Sequence, residues 1–264
     1  MAYRSFIYEV QDGIATVRLN NPAKLNALTF ESYLELERLF HEAASDNAVK
    51  VVVLTGTGKG FCSGGSVDEI IGKLVRSKAE SHRRFTRMTC DVVKNMRRLK
   101  KPIIAAVNGV AAGAGAILAL ASDLRIVSDR ASFAFLFVNV GLAGADMGAL
   151  YLLPRIVGHG RAAELLFLGD SIDAREAYRI GLATRVVPHE ELMAEAYALG
   201  RRLHAGPRYA LGVTKELLDL EANMDLEKAL AAEARAQAIC MGKPDFVEGY
   251  RAFTEKRAPV FNRT

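Results

Sequence analysis

The first 190 residues alternate between short apolar runs and longer amphipathic segments, as strands that alternate with helices do. Residues 14–20, IATVRLN, switch between apolar and polar positions and predict a half-exposed strand. Residues 50–56, KVVVLTG, and 102–109, PIIAAVNG, are continuous apolar runs that predict buried strands. Short strands are also predicted at LRIVSD, 124–129, and at ATRVVP, 183–188.

The segments between these predicted strands have the periodicity of helices. Residues 28–46 predict a helix with Thr29 as its N-cap and one apolar face made of Phe30, Tyr33, Leu34 and Phe40. Residues 67–100 form a polar segment with helical potential, and the alanine-rich residues 111–123 predict a tightly packed buried helix.

The second half of the chain predicts mainly helices. Residues 149–158 and 161–182 give two further helical segments, and the pattern is helical from about residue 190 to the end. We therefore predict an α/β core over residues 1–200 and a C-terminal helical lobe over residues 201–264.

Composition and charge narrow the class of protein. Half of the 264 residues are hydrophobic, which suffices for a sizeable core, and no apolar stretch is long enough to span a bilayer. The N-terminus has no apolar signal core and the three cysteines form no disulfide pattern, so we expect a cytoplasmic protein. Neither the cysteines nor the five histidines have the spacing of metal ligands, and we expect no metal.

A formal net charge of +5 suits an anionic partner. The basic residues form no extended block and are not interleaved with aromatic residues, so we do not expect nucleic acid. A small phosphorylated ligand remains compatible with the charge.

Two glycine-rich loops, GTGKGFCSGG at 56–65 and NGVAAGAG at 108–115, each follow a predicted buried strand. Neither matches the Walker or dinucleotide-binding spacing. Two interpretations stay open: the glycines permit tight turns and close packing, or they present bare backbone N–H groups that bind an anion. Cys62, in the first loop, is either a nucleophile or a structural residue.

Asp146 is the only carboxylate in GLAGADMGAL, residues 141–150. It precedes a predicted helix, so it either caps that helix or acts as an acid/base. The catalytic interpretation requires partial burial, which would raise the pKa of the carboxyl toward neutrality.

Five segments together resemble the crotonase superfamily, the enoyl-CoA hydratase/isomerase family: NNPAKLNALT, GTGKGFCSGG, KPIIAAVNGVAAGAGAILALASDLRI, GRAAELLFLGDSIDAREAYRIGLATRVV and AFTEKRAPVF. They occur in the family's order and cover about residues 14–261. The resemblance implies a spiral of ββα units with a helical C-terminal lobe that forms trimers, and hexamers as pairs of trimers.

The resemblance also implies a binding site for an acyl-CoA thioester, with coenzyme A as part of the substrate and no separate cofactor. The two backbone donors that hold the thioester oxygen fall on Gly65 and Ala114. Substrate contacts are expected at Lys24, Ala27, Leu28, Gly64, Ser66, Ile117, Phe137 and Leu142, and the tail residues Phe253 and Lys256 match positions that contact the coenzyme A of a neighbouring subunit.

The chain departs from the hydratases of this family at the two glutamates that activate water. Those positions hold Ile117 and Phe137, and the acid of the usual AGAD loop is replaced by Ser66. The stretch around Asp146 resembles dienoyl-CoA isomerases, although one extra residue separates Gly141 from Asp146. Asp146 is thereby favoured as the acid/base, with an apolar wall expected from Phe133, Phe135, Phe137 and Leu142.

Three functional interpretations follow. The first is a double-bond isomerase on an acyl-CoA, in which Asp146 moves a proton and Gly65 and Ala114 stabilise the enolate. The second is a hydratase, hydrolase or dehalogenase that uses Asp146. The third is a family member that binds coenzyme A or RNA without catalysis.

Overall fold

The computed structural model describes residues 3–262, which combine strands and helices along the whole core. The strands are β1 Phe6–Gln11, β2 Ile14–Leu19, β3 Val51–Gly56, β4 Gly60–Cys62, β5 Ile103–Val107, β6 Val110–Ala112, β7 Leu124–Ser128, β8 Ser132–Ala134, β9 Ser171–Asp173 and β10 Arg185–Val187. The helices are α1 Phe30–Glu42, α2 Gly72–Val75, α3 Ala79–Arg98, α4 Ala114–Ala121, α5 Ala149–Val157, α6 His159–Leu168, α7 Ala174–Arg179, α8 Leu192–Ala205, α9 Arg208–Leu220, α10 Leu226–Met241 and α11 Pro244–Thr254.

Consecutive strands are divided between two sheets. The larger sheet has the order β1-β2-β3-β5-β7-β10, and the smaller has the order β4-β6-β8-β9. The pairs β3–β4, β5–β6 and β7–β8 each place one strand in each sheet before the chain enters a helix. This repetition is the spiral of ββα units that the resemblance implies, and the predicted α/β class is confirmed.

The prediction that residues 14–20 form a half-exposed strand is wrong. β2 lies between β1 and β3, and its residues are buried almost throughout. Helix α8 covers the second face of the sheet, where the Thr16 hydroxyl pairs with the Tyr197 hydroxyl at 3.1 Å. The buried hydroxyl of Thr16 is therefore satisfied by a helix and not by water.

Thr29 caps α1 as predicted, because its hydroxyl accepts a hydrogen bond from the Ser32 N–H. The predicted apolar face is wrong at Leu34, which is 54% exposed. The buried stripe of α1 instead contains Tyr33, Leu36, Leu39 and Phe40. Its spacing of three to four residues is the helical one.

Residues 111–123 are predicted as one helix, yet Val110–Ala112 form β6, which pairs with β4 and β8. The helix α4 begins only at Ala114, after a turn at Gly113, and all of its residues are buried. Strands of only three residues are too short to show a period, which is why β4, β6, β8 and β9 are not predicted from the sequence.

The C-terminal part of the described chain is helical, as predicted. The predicted boundary between residues 200 and 201 falls within α8, whose Leu192, Ala196 and Leu199 pack on the larger sheet. The division into core and lobe stays a prediction. A charge network joins α9 to the core: Arg97 contacts Asp219 at 2.8 Å and Asp123 at 3.0 Å, and Lys215 contacts Asp123 at 2.8 Å.

Candidate active site

The first glycine loop turns sharply after β4. Gly64 has φ +98°, and a Cβ at this position would lie 3.0 Å from the Ala112 oxygen and 3.5 Å from the Ala114 nitrogen. Only glycine combines this conformation with such a close approach to the second loop. The first loop therefore packs by its backbone against the start of α4.

The hydrogen bonds of this loop orient the Gly65 amide. Leu28 N–H donates to the Gly64 oxygen and Ser66 N–H donates to the Leu28 oxygen, both at 2.7 Å. In such a parallel pairing the intervening residue, Gly65, turns its own N–H away from Leu28. Within residues 3–262 no acceptor bonds the Gly65 N–H.

The second loop presents a comparable donor. Gly113 has φ +49° and its N–H donates to the Ala134 oxygen at 2.9 Å, which fixes the turn into α4. The Ala114 N–H belongs to the first helical turn, and no acceptor for it exists in the described part of the chain. The positive end of the helix dipole adds to this donor.

Two buried asparagines hold the first loop in place. The Asn26 amide donates to the Thr57 and Gly60 oxygens at 2.9 and 2.7 Å. The Asn108 amide donates to the Gly58 and Gly60 oxygens at 2.9 and 3.1 Å. The sequence analysis missed both roles, although the Asn-Gly turn at 108–109 was a signal.

Cys62 is sealed in the core behind this loop, and burial raises the pKa of its thiol to about 12. A thiol with such a pKa is not a nucleophile at neutral pH, so the structural interpretation holds. A Cβ on Gly115 would lie 2.0 Å from the Cys62 oxygen. The residue is thus part of the close contact between the two loops.

Asp146 lies in the segment between the short turn Val138–Val140 and α5. Its side chain does not cap α5, because Gly148 occupies the N-cap position and the Ala149 N–H donates to the Asp146 backbone oxygen, at 2.8 Å. The capping interpretation is therefore wrong. The carboxylate is left available for another role.

The surroundings of Asp146 suit a proton acceptor. The residue is half-buried, and this burial raises the pKa of its carboxyl, an effect that the neighbouring Met147 N–H partly offsets. Met147 is itself buried with φ +46°, a conformation that typically costs about 1–3 kcal/mol and is concentrated at functional sites.

A tyrosine connects Asp146 to the first glycine loop. Burial, then the nearby Cys62 and Asp146, raise the pKa of Tyr33 well above its ordinary value. The Tyr33 hydroxyl also lies 3.8 Å from the position of a Cβ on Gly65. Sequence reasoning treated Tyr33 as part of an apolar helix face and missed this position.

The two positions that hold glutamates in hydratases are apolar and enclosed. Ile117 lies one helical turn beyond Ala114 and is 0% exposed, so its position does not support the predicted substrate contact. Phe137 keeps a small exposed surface. Of the expected apolar wall, Phe133 and Phe135 are sealed in the core, and Leu142 is half-exposed on the surface.

The segment 21–28 runs beside the first loop. Lys24 is exposed, with its ammonium 3.4 Å from the Asp68 carboxylate, and Ala27 is half-buried. The Leu28 side chain belongs to the core, so only its backbone can line a binding surface. Ser66 is buried and caps the following turn by accepting a hydrogen bond from Glu69 N–H at 3.3 Å.

Within one chain, the structure does not bring the predicted tail contacts, Phe253 and Lys256, to the two glycine loops. Phe253 is 84% exposed at the end of α11, and Lys256 follows it in a left-handed conformation. Phe253 lines an apolar groove formed by C-terminal residues only, among them Tyr209, Phe246 and Phe261.

In the described residues, no group of three or more His, Cys, Asp or Glu side chains is placed to hold a metal ion. No helix between residues 3 and 262 has both the length and the apolar character needed to cross a membrane.

Comparisons with known protein sequences all indicate the same family. A family model described as enoyl-CoA hydratase/isomerase matches residues 9–264. A probable enoyl-CoA hydratase of Mycobacterium bovis is 39% identical over 256 residues, covering 94% of this chain and 89% of the relative. The 1,2-epoxyphenylacetyl-CoA isomerase of Escherichia coli is 34% identical, covering 96% of each chain.

Comparisons with solved structures indicate the same family. The crystal structure of a candidate enoyl-CoA hydratase from Streptomyces coelicolor superposes with a TM-score of 0.96 and 49% identity, covering 99% of this chain and 95% of that one. An enoyl-CoA hydratase from Bacillus anthracis superposes with a TM-score of 0.92 at 30% identity, covering 98% and 99%.

Proposed function

Because the chain belongs to the enoyl-CoA hydratase/isomerase family and is thus an acyl-CoA-processing enzyme, we propose that it is a double-bond isomerase in which Asp146 is the acid/base. The observation that carries this proposal is the single half-buried carboxylate near a loop with a free backbone donor. The two enclosed apolar residues at the glutamate positions, Ile117 and Phe137, support it.

The thioester oxygen binds between the N–H groups of Gly65 and Ala114. Both amides lack an acceptor among the residues described, and the loops that carry them touch at Gly64. Two fixed donors stabilise negative charge on that oxygen, and loss of one typically costs about 10²–10³ in rate.

Asp146 then transfers a proton between two carbons of the acyl chain. Its carboxylate takes a proton from a carbon next to the thioester carbonyl, or next to a double bond conjugated with that carbonyl, and the C–H electrons move into the enolate held by the two amides. The protonated Asp146 returns the proton to another carbon, so that the double bond moves and no atom of water is added. A carboxyl whose pKa is raised by burial is a better base for this step than an exposed one.

The coenzyme A portion lies along Lys24, Ala27 and the backbone of Leu28. In an assembly of three or six chains, Phe253 and Lys256 reach the coenzyme A bound by a neighbouring subunit. Their exposure at the end of α11 and in the turn after it supports this assignment.

The experiment is Asp146→Asn, assayed by proton exchange and double-bond migration on the CoA ester that the wild type accepts. We expect kcat to fall about 10²–10⁴-fold, the usual contribution of a general acid/base. Asp91→Asn is the control, because Asp91 lies on α3 and pairs with Lys94. Wild-type turnover by Asp146→Asn would overturn the proposal.

A hydratase is the second candidate, since several relatives bear that name, including a crotonyl-CoA hydratase of Syntrophomonas wolfei that is 34% identical over 262 residues. In that reaction Asp146 would activate water without the two glutamates. Incorporation of solvent oxygen into the product distinguishes it from the isomerase.

A further inference from the structure

Tyr33 is a buried tyrosine whose ring is fixed by other aromatic rings. The residue is 2% exposed, and its ring meets the Phe85 ring edge-on, with centroids 5.7 Å apart. Phe85 meets Phe30 in the same way at 5.3 Å. The ring therefore has little freedom, and its hydroxyl is held in one place.

The hydroxyl of Tyr33 has no hydrogen-bond partner among residues 3–262, although buried tyrosine hydroxyls usually find one. It is also not sealed: the unpartnered side-chain polar atoms enclosed in the described structure are Thr57 Oγ1, His204 Nδ1 and Glu221 Oε1. The small exposed surface of Tyr33 thus includes its oxygen.

That oxygen opens toward the candidate active site. It lies 3.8 Å from the position of a Cβ on Gly65, where Ile70 is the other neighbour, at 3.7 Å. Asp146 is near enough to influence the hydroxyl electrostatically, yet no hydrogen bond joins the two. Because burial keeps the pKa of Tyr33 high, the hydroxyl retains its proton at neutral pH and is available as a donor.

Apart from Asp146, the groups placed beside this donor are apolar: Ile70 lies with it at the Gly65 position, and Phe85 packs on the Tyr33 ring. Asp146 is assigned to the proton transfer, and a second polar group among apolar side chains orients a ligand through one matching atom. In the proposed function, the thioester oxygen already accepts hydrogen bonds from the N–H groups of Gly65 and Ala114. The remaining partner for Tyr33 is an oxygen further along the acyl group.

We propose that the Tyr33 hydroxyl donates a hydrogen bond to an oxygen on the acyl chain, so that the enzyme prefers oxygenated acyl-CoA thioesters to plain hydrocarbon ones. Hydroxy, oxo and epoxy groups close to the thioester have the required acceptor. This inference rests on the proposed function, because it takes the thioester to lie between Gly65 and Ala114.

The test is the equilibrium binding of butyryl-CoA, 2-hydroxybutyryl-CoA, 3-hydroxybutyryl-CoA and acetoacetyl-CoA to the full-length protein, with mass spectrometry of the recovered ligands to verify that they have not reacted. We expect at least one oxygenated ester to bind the wild type about tenfold more tightly than butyryl-CoA, the effect of one hydrogen bond. Tyr33→Phe should lose that tenfold for the oxygenated ester and leave the Kd of butyryl-CoA unchanged.

Tyr197→Phe is the matched control, because it removes a tyrosine hydroxyl that pairs with Thr16 away from the loops. Equal affinity of the wild type for all four esters, or an equal effect of Tyr33→Phe on all of them, would overturn the role of Tyr33 and leave the isomerase proposal standing. A shift by Tyr33→Phe in the pH dependence of turnover of a hydrocarbon ester would also overturn it, since the hydroxyl would then act through Asp146. Failure of every CoA ester to bind would overturn the proposed function and this inference together.

Discussion

The Cα of Gly64 lies 3.9 Å from the position that a Cβ on Gly113 would occupy, so the two glycine loops meet through their backbones. This contact sets the relative position of the free amides of Gly65 and Ala114. Neither glycine contributes a side chain to the site, and yet both determine its shape.

Gly64→Ala should damage this arrangement. An added Cβ would lie 3.0 Å from the Ala112 oxygen in a residue with φ +98°, so the loop must shift. We expect kcat to fall about 10²–10³-fold, as for loss of an oxyanion donor. Gly158→Ala is the control, because Gly158 has φ +80° and nothing within 4 Å of an added Cβ. If both variants lose activity equally, backbone strain and not the contact between the loops is responsible.

Asp146→Asn should raise thermal stability at neutral pH. Because burial raises the pKa of Asp146, the native state binds more proton than the unfolded state between the ordinary and the raised pKa, and stability is lost as pH rises through that interval. Above this interval the buried carboxyl is ionised and its full desolvation penalty is present. The neutral side chain of asparagine removes that penalty. We therefore expect the variant to have a higher Tm than the wild type at pH 7.5, measured by thermal denaturation.

The same comparison near pH 4 provides the check, because that pH lies at the lower end of the interval, where most of the ionisation penalty is absent. The Tm difference between the variant and the wild type should shrink as the pH falls toward the ordinary carboxyl pKa of about 3.9. A difference that stays constant between pH 7.5 and pH 4 would show that the carboxyl does not titrate under a burial penalty.

Lys215→Met should destabilise the attachment of α9 to the core. The Lys215 ammonium is buried, lies 2.8 Å from Asp123 and also donates to the Met96 and Lys101 oxygens. Removing one partner of a buried ion pair typically costs about 3–5 kcal/mol, and we expect a loss of that order in the free energy of unfolding. Chemical denaturation measures it.

Lys100→Met is the matched control in the same region. Lys100 pairs with Glu216 at 2.7 Å, but both side chains are largely exposed. An exposed pair typically contributes less than about 1 kcal/mol. Similar losses for the two variants would contradict the assignment of the buried network as the anchor of α9.

The sequence predicts the long elements of this fold well and its short elements poorly. The apolar runs that became β3 and β5 and the capped helix α1 have clear periods. The three-residue strands have none, and the burial of β2 depends on α8, nearly 180 residues away. Local pattern cannot reveal a cover supplied by a distant helix.

The parts of the candidate site that are formed by unusual backbone could be predicted from the sequence. The part that is formed by side-chain packing could not. The glycine loops and Asp146 stand out in the sequence as unusual residues in apolar surroundings. Tyr33 does not, because a tyrosine on an apolar helix face normally belongs to the core. Its free hydroxyl becomes visible only once Gly65 and Asp146 are placed beside it.

The proposed isomerase moves a proton within the acyl group and adds no water. The most direct measurement is mass spectrometry of the products formed from enoyl, dienoyl, aromatic and cyclic CoA esters in isotopically labelled water. For an isomerase we expect products of unchanged composition in which the double bond has moved and solvent deuterium appears on carbon. Products that have gained a molecule of water, or free coenzyme A, would contradict it.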